Sequence, residues 1–322
     1  MECEVTKHGS HDLPVPRVIA APMAGVTDLP FRLFQRQRYG GLAFAEMLSA
    51  EAVVRDNPQT RRMSAMDSGP TGVQLVGSNP STMARAAVML VDSGAVVVDI
   101  NAGCPDPHVV KKGGGAALMK DPGALRGLVE ALGANVEVPV TVKTRSGWSE
   151  ENLEGLADAL HDSGAAWVTF HPRTAKERYS ARADHSRTAR FVELMGKTPV
   201  IASGDILTEE DALGVLEAAG VKGVMAARGM MGDPLFPWRM DELLKGRNVP
   251  RPDIRTRCGW LVEHASLSAQ CFGEEVGLKR MRKHAFWYLK GVPKRMLPWR
   301  EINSMVSMDE LRSIYRKVLS EF

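Results

Sequence analysis

Nowhere in its 322 residues does the chain approach the roughly 20 consecutive apolar residues of a membrane-crossing helix; its apolar runs stay under ten. Cysteine is scarce too. The four are Cys3, Cys104, Cys258 and Cys271; none forms a Cys-x-x-Cys pair and no His/Cys group has zinc spacing. A disulfide-stapled secreted domain and a zinc site are therefore not expected, and no metal is assigned. His8 and His11 stand three apart, but in a terminus expected to fray. Residues 1–16 lack a basic stretch followed by an apolar core, so they read as a lead-in rather than a secretory leader. Reduced thiols in the cytoplasm are the simplest setting.

Acidic residues are missing from one place. Between 276 and 300 stand eight cations (Lys279, Arg280, Arg282, Lys283, Lys290, Lys294, Arg295 and Arg300) and no Asp or Glu. With a total charge of +3, the remainder of the chain is net −5. A charge run is often only a solvated face, but one this long and free of acids fits a polyanion better. Met281, Ala285 and Tyr288 can share an inner helical face here, with Arg280, Lys283 and His284 grouped elsewhere.

What is present in abundance is a repeat. Eight short apolar runs, at 18–21, 42–47, 72–76, 96–101, 139–143, 167–171, 199–203 and 223–227, end in small or polar residues. Amphipathic stretches such as 80–92, 123–133, 152–163 and 209–219 lie between them, the last opened by Thr208 as an N-cap. Runs apolar throughout suit strands buried on both faces of a parallel sheet. Eight such units predict a (β/α)8 TIM barrel over 17–240. The rival, an open doubly wound sheet, needs a dinucleotide fingerprint after its first strand, and Ala21-Pro22-Met23-Ala24-Gly25 is not one. Beyond 240 strand-like runs stop, and 240–244, 255–272, 275–289 and 308–320 predict a small all-α domain of about four helices over 241–322. The 101–138 connection is longer than its siblings, contains Gly113-Gly114-Gly115, and is expected to be a mobile active-site loop carrying His108 and Lys111.

In such a barrel, reactive groups sit past the C-terminal strand ends. Those positions hold Pro22-Met23-Ala24, Glu46, Gln74, Asn101 to Pro105, Lys143 and Arg145, His171 and Arg173, Ser203-Gly204-Asp205, and Ala227-Arg228. Small residues after strands 7 and 8 let backbone N–H groups approach a phosphate while Arg228 adds a fixed positive fork; the alternative is tight turns and a surface ion pair. Lys143, at a buried strand end, needs a negative partner, either a bound anion such as a reduced flavin or a carboxylate such as Glu46 or Asp205. Gln74 and His171 each suit a ring edge or a phosphate, and equally an internal role. Cys104, between Gly103 and Pro105, reads as an acid or nucleophile beside a bound ring, or as a small buried hydrophobe. Cys258 and Cys271, inside helical patterns, read as buried hydrophobes.

The ordered motifs resemble the tRNA-dihydrouridine synthase family, in its bacterial form. Ala21-Pro22-Met23-Ala24-Gly25-Val26-Thr27-Asp28 is similar to its opening signature, and Asp99-Ile100-Asn101-Ala102-Gly103-Cys104-Pro105 to its cysteine motif. Val142 to Trp148, His171-Pro172-Arg173-Thr174, and Arg282-Lys283-His284 with Trp287 to Gly291 match later stretches. The chain departs at Ser203, where the family usually has Asn, and at Ala227, where it usually has Gly; both substitutes are small. The resemblance implies FMN lined by Pro22, Met23 and Ala24, contacted by Gln74, balanced by Lys143 and neighboured by His171. Its phosphate side is cradled by Ser203, Gly204, Asp205, Ala227 and Arg228. It implies NADPH as reductant, hydride transfer from N5 to C6 of uracil, and Cys104 as proton donor to C5. Substrate contacts follow at Asn101, Arg145 and Arg173 and, for tRNA, at Lys279, Arg280, Arg282, Lys283 and His284. A monomer is expected.

Two other readings share some features. A flavin barrel acting on free dihydroorotate or a pyrimidine leaves the basic tail unexplained. A catalytically silent RNA-binding barrel, or a phosphosugar isomerase or aldolase barrel, would be colourless.

Overall fold

The computed structural model describes residues 13–320; Cys3, His8 and His11 lie outside the described residues. Eight parallel strands close into a barrel in chain order: β1 (Val18–Ala20), β2 (Ala43–Ser49), β3 (Thr71–Val76), β4 (Val97–Ala102), β5 (Val140–Arg145), β6 (Val168–His171), β7 (Val200–Ala202) and β8 (Gly223–Ala226). Pairing of Val18, Ile19 and Ala20 with Val224, Met225 and Ala226 seals the ring and rules out the open sheet. Each strand coincides with one of the apolar runs because both of its faces are covered, one by barrel interior and one by helices.

Around the barrel run α1 (Leu29–Arg36), α2 (Ala50–Val54), α3 (Pro58–Met63), α4 (Pro80–Asp92) and α5 (Pro107–Val110). They are followed by α6 (Pro122–Gly133), α7 (Leu153–Leu160), α8 (His185–Met195), α9 (Glu209–Ala218) and α10 (Phe236–Leu244). Local chemistry starts them: Asn79 accepts the Thr82 N–H ahead of Pro80, and Thr208 with Asp211 forms a reciprocal cap on α9. Helix α10 buries Phe236 and Met240 in the barrel core, so the boundary expected at 240 falls inside a helix that packs on the barrel.

The 101–138 connection also differs from the mobile loop expected. It contains α5 and a 3-10 helix over Gly115–Lys120 whose Ala116, Leu118 and Met119 are buried. Its glycines are clamped, not loose. Gly115 has φ +58°, and a Cβ there would stand 2.6 Å from the Cys104 carbonyl oxygen, which accepts the Ala116 N–H at 2.9 Å.

The remaining helices, α11 (Ile254–Phe272), α12 (Glu274–Tyr288), α13 (Trp299–Ser304) and α14 (Met308–Leu319), gather a second apolar cluster that includes Met281, Ala285 and Tyr288. They grip the barrel through α1. Phe31 meets His264 edge-on at 5.5 Å between ring centres, and Phe34 meets Trp260 at 6.1 Å. His264 and His284 face each other at 4.9 Å, and His264 Nδ1 lies 3.2 Å from the Tyr288 hydroxyl.

Burial pushes the His264 imidazole down to about 3, and burial followed by His264 itself pushes His284 down as well. Free histidine titrates near 6.5, so the unfolded chain takes up these protons first as pH falls. The stability associated with the two neutral rings is complete above pH 6.5 and erodes below it, by up to about 1.4 kcal/mol per pH unit per ring. The thermal midpoint is expected to drop between pH 7.5 and 5.5, and His264→Gln to flatten that drop; an equal drop in the variant contradicts this account.

Candidate active site at the barrel mouth

All strand C-termini open on one rim, and there the inward side chains become polar. After β7, Gly204 adopts φ +109°, and a Cβ on it would lie 2.7 Å from the His171 ring. Only glycine leaves that space open. The Asp205 carboxylate is fully engaged: Arg228 donates at 2.6 Å, Arg173 at 2.5 Å and the Ala183 N–H at 2.8 Å. These residues, with Pro22, Met23, Lys143, His171, Ser203 and Ala227, line a cavity of about 130 Å³. Tyr179 stands over it, 58% exposed, with the Arg228 guanidinium 4.5 Å from its ring centre.

Charge at this mouth is unbalanced. Burial lowers the His171 pKa far below its usual range, and Lys143, Arg145, Arg173 and Arg228 lower it further, so the ring is neutral. Arg173 Nη1 lies 3.1 Å from His171 Nε2; arginine can only donate, so Nε2 accepts and the proton sits on Nδ1. Lys143 is pushed down to about 8, by burial first and then by Arg145. Neither carboxylate considered from sequence reaches it. Asp205 holds two arginines, and Glu46 accepts the Gly25 N–H at 2.5 Å with Arg280 4.0 Å away. Among the described residues no carboxylate lies within ion-pair distance of the Lys143 ammonium; the buried Asp99 on the neighbouring strand acts on it from further off and offsets only part of the downward shift. Lys143, Arg145, Arg173 and Arg228 against Asp205 and the buried Asp99 leave the mouth net positive, a site for an anion.

Cys104 lies on the same rim, half-buried. Asn101 on β4 pairs in register with Lys143 on β5, which puts the cysteine turn beside the ammonium. The Asn101 side-chain oxygen accepts the Cys104 N–H at 2.8 Å and the Gly103 N–H at 3.1 Å. Burial raises the thiol above its ordinary pKa, partly offset by the Asp106 N–H. At neutral pH this sulfur carries its proton, as an acid requires and a nucleophile does not.

Several residues expected at the site are turned to the protein itself. Ala24 is exposed beside the cavity, while Gln74 lies beneath it, 1% exposed, donating to Asp99 and accepting from Asn101, both at 2.7 Å. Arg145, expected on substrate, donates to the carbonyls of Gly103, Thr174 and Arg178 and ties three loops together. Arg173 is likewise buried between Ala181 and Asp205. Sequence reasoning missed Tyr179, which carried no motif, and Asp99 and Thr141. An acid inside the apolar run Val97-Val98-Asp99-Ile100 was the available signal. Burial raises Asp99 to about 6, against donation from Thr141 at 2.6 Å and from Gln74.

The tail divides in the same way. Lys279 pairs with Glu275, Arg280 reaches Asp28 at 3.2 Å while lying over Phe272, and Arg282 donates to the Met305 and Ser304 carbonyls. His284 does not join a surface cluster: it is 2% exposed, because three residues after Met281 the helix returns it to the inner face beside Phe31 and Trp287. Lys283 is exposed near Gly25, on a cleft of about 940 Å³ between barrel and tail that Glu46, Arg62, Phe272 and Arg280 also line. Lys290, Lys294, Arg295 and Arg300 are exposed, and among the described residues their side chains make no hydrogen bond or ion pair. Of the other thiols, Cys258 is buried as expected, whereas Cys271 is exposed on the cleft.

Comparison with known proteins places this geometry. The sequence model described as "Dihydrouridine synthase (Dus)" matches residues 18–321. A probable tRNA-dihydrouridine synthase of Rickettsia bellii is 38% identical over 86% of each chain. One from Treponema pallidum is 39% identical over 85% of this chain and 84% of its own. The tRNA-dihydrouridine synthase B of Pseudomonas aeruginosa is 34% identical over 90% and 88%. Among solved structures, histamine dehydrogenase from Rhizobium sp. 4-9 superposes with a TM-score of 0.55 at 13% identity, over 78% of this chain and 49% of that enzyme, a likeness of fold alone. Among the described residues no helix is long and apolar enough to cross a membrane.

The raised thiol pKa has a direct readout. Alkylation of Cys104 by iodoacetamide, followed by mass spectrometry of its peptide, is expected to be slow at pH 7 and to reach its half-maximal rate above pH 9; a midpoint near 7 would mean a thiolate and an opposite chemistry.

Proposed function

The chain belongs to the dihydrouridine synthase family, and from that membership we propose that it reduces the C5=C6 bond of a uridine in tRNA to 5,6-dihydrouridine, using FMN with NADPH as reductant. The enzymes of this family are flavin-dependent oxidoreductases. The observation that carries the reading is the net positive charge lining the cavity around Lys143, set beside a thiol that keeps its proton.

The residues fit a phosphate-bearing flavin. Gly204 leaves room for close approach, Arg228 and Ala227 with Ser203 and Asp205 form the phosphate side, and neutral His171 offers its Nδ1–H. Lys143 would meet negative charge on the ring, Pro22, Met23 and Ala24 would flank it, and Gln74 would contribute its remaining amide hydrogen. Bound there, FMN supplies the hydride for C6 of the uracil. Cys104 gives its proton to C5 from the opposite face of the ring. The base must leave its own stack to lie in the mouth, whose loops Asn101, Arg145 and Arg173 hold in place from within.

For the RNA the structure shifts the weight along the tail. Because Arg280 and Arg282 are used to hold the tail together and to the barrel, phosphate contacts are assigned to Lys283, Lys290, Lys294, Arg295 and Arg300, with Lys279 at the edge. These recognise backbone and shape. The enzyme acts as a cytoplasmic monomer.

Two experiments test this. Cys104→Ala is expected to retain bound FMN, seen in its visible absorbance, and to lose uridine reduction by about 100-fold or more; full activity would remove the proton-donor role. Changing Lys290, Lys294, Arg295 and Arg300 together to Glu is expected to weaken tRNA binding and flatten its salt dependence, with FMN content unchanged. Unaltered affinity across several salt concentrations would place the RNA elsewhere.

A further inference from the structure

Four side chains inside the barrel form one hydrogen-bonded chain with a direction. Thr141 Oγ1 donates to Asp99 Oδ1 at 2.6 Å, and Gln74 Nε2 donates to Asp99 Oδ2 at 2.7 Å. Asn101 Nδ2 donates to Gln74 Oε1 at 2.7 Å, and Asn101 Oδ1 accepts the N–H groups of Cys104 and Gly103. All four residues are buried.

Strand register builds the chain: Gln74 is paired with Asp99 and Asp99 with Thr141, and Asn101 lies two residues on, facing the same way. An amide can present either end, so nothing in Gln74 or Asn101 alone sets which way they point. A carboxylate only accepts. It therefore obliges Gln74 to turn its NH2 toward β4, which leaves Gln74 Oε1 for Asn101, which in turn leaves the Asn101 oxygen for the backbone of the cysteine turn. Were the chain reversed, Asn101 would present N–H to N–H at Cys104, a buried clash of donors.

We propose that Asp99, which touches neither the cavity nor Cys104, is a positioning residue that holds the Cys104 turn at the barrel mouth by setting the direction of the Gln74–Asn101 amides. Its consequence for catalysis rests on the function proposed above; its structural content does not.

Amide hydrogen exchange of the peptide spanning residues 102–106 reads the last link without any activity measurement. In the FMN-loaded enzyme, Asp99→Asn removes the acceptor-only end, and the Gly103 and Cys104 amides are expected to exchange about tenfold faster, as for loss of one buried hydrogen bond. The double variant Asp99→Asn, Asn101→Asp moves the carboxylate to the other end. The chain can then run in reverse with every donor matched, and exchange is expected to return to within about twofold of the wild type. A role confined to packing would lower the thermal midpoint in both variants and leave the 103–104 amides alike. Unchanged exchange in Asp99→Asn, or a double variant exchanging no more slowly than the single one, overturns the proposal. If Asp99→Asn does not fold, Gln74→Leu cuts the middle link and carries the same expectation for these amides. For turnover, Asp99→Asn is expected to lower kcat with KM for tRNA within about twofold. If the wild-type enzyme reduces no uridine in tRNA while the exchange results hold, the proposed function fails and the positioning stands.

Discussion

Positive charge without a matching negative charge is the constraint on which the mouth of this barrel depends. Lys143, Arg145, Arg173 and Arg228 converge on the neutral His171; Asp205 among them is already divided between two guanidiniums, and the buried Asp99 offsets Lys143 only in part. Burying Lys143, Arg145 and Arg173 costs free energy. The arginines lower that cost by donating to loop carbonyls, which is why Arg145 and Arg173 are structural as well as electrostatic. Among the described residues the Lys143 side chain makes no such hydrogen bond, and burial and then Arg145 hold its pKa down although Asp99 pulls it up. An anionic ligand would stabilise the folded enzyme as well as equip it.

Much of the architecture was legible in the sequence because a parallel barrel leaves a plain trace: strands covered on both faces must be apolar throughout. The end of the barrel was harder to see. Helix α10 is as amphipathic as the tail helices that follow, and only its packing against the barrel core assigns it. The Gly-rich connection was misread for a related reason. Gly113-Gly114-Gly115 looks loose in isolation, and what clamps it, the Cys104 carbonyl among others, belongs to a neighbouring segment.

At the site, residue types at strand ends located most of the cavity, since position on a strand dictates which rim a side chain reaches. Partner choice was not legible. Lys143 with Glu46, Lys143 with Asp205 and Lys143 with a ligand are equivalent as text; the bulge between Phe44 and Met47 in β2 and the arginines around Asp205 decide among them. His284 shows the opposite case. Its spacing of three from Met281 already placed it on the inner face, and its polarity obscured that.

Segment 21–28 begins in the cavity wall and finishes at Asp28, which caps α1 and takes Arg280 from the tail. So short a span cannot relax at one end without the other noticing. A ligand settling into the barrel mouth would therefore press on the same short stretch of backbone that holds Arg280 and, through it, the tail.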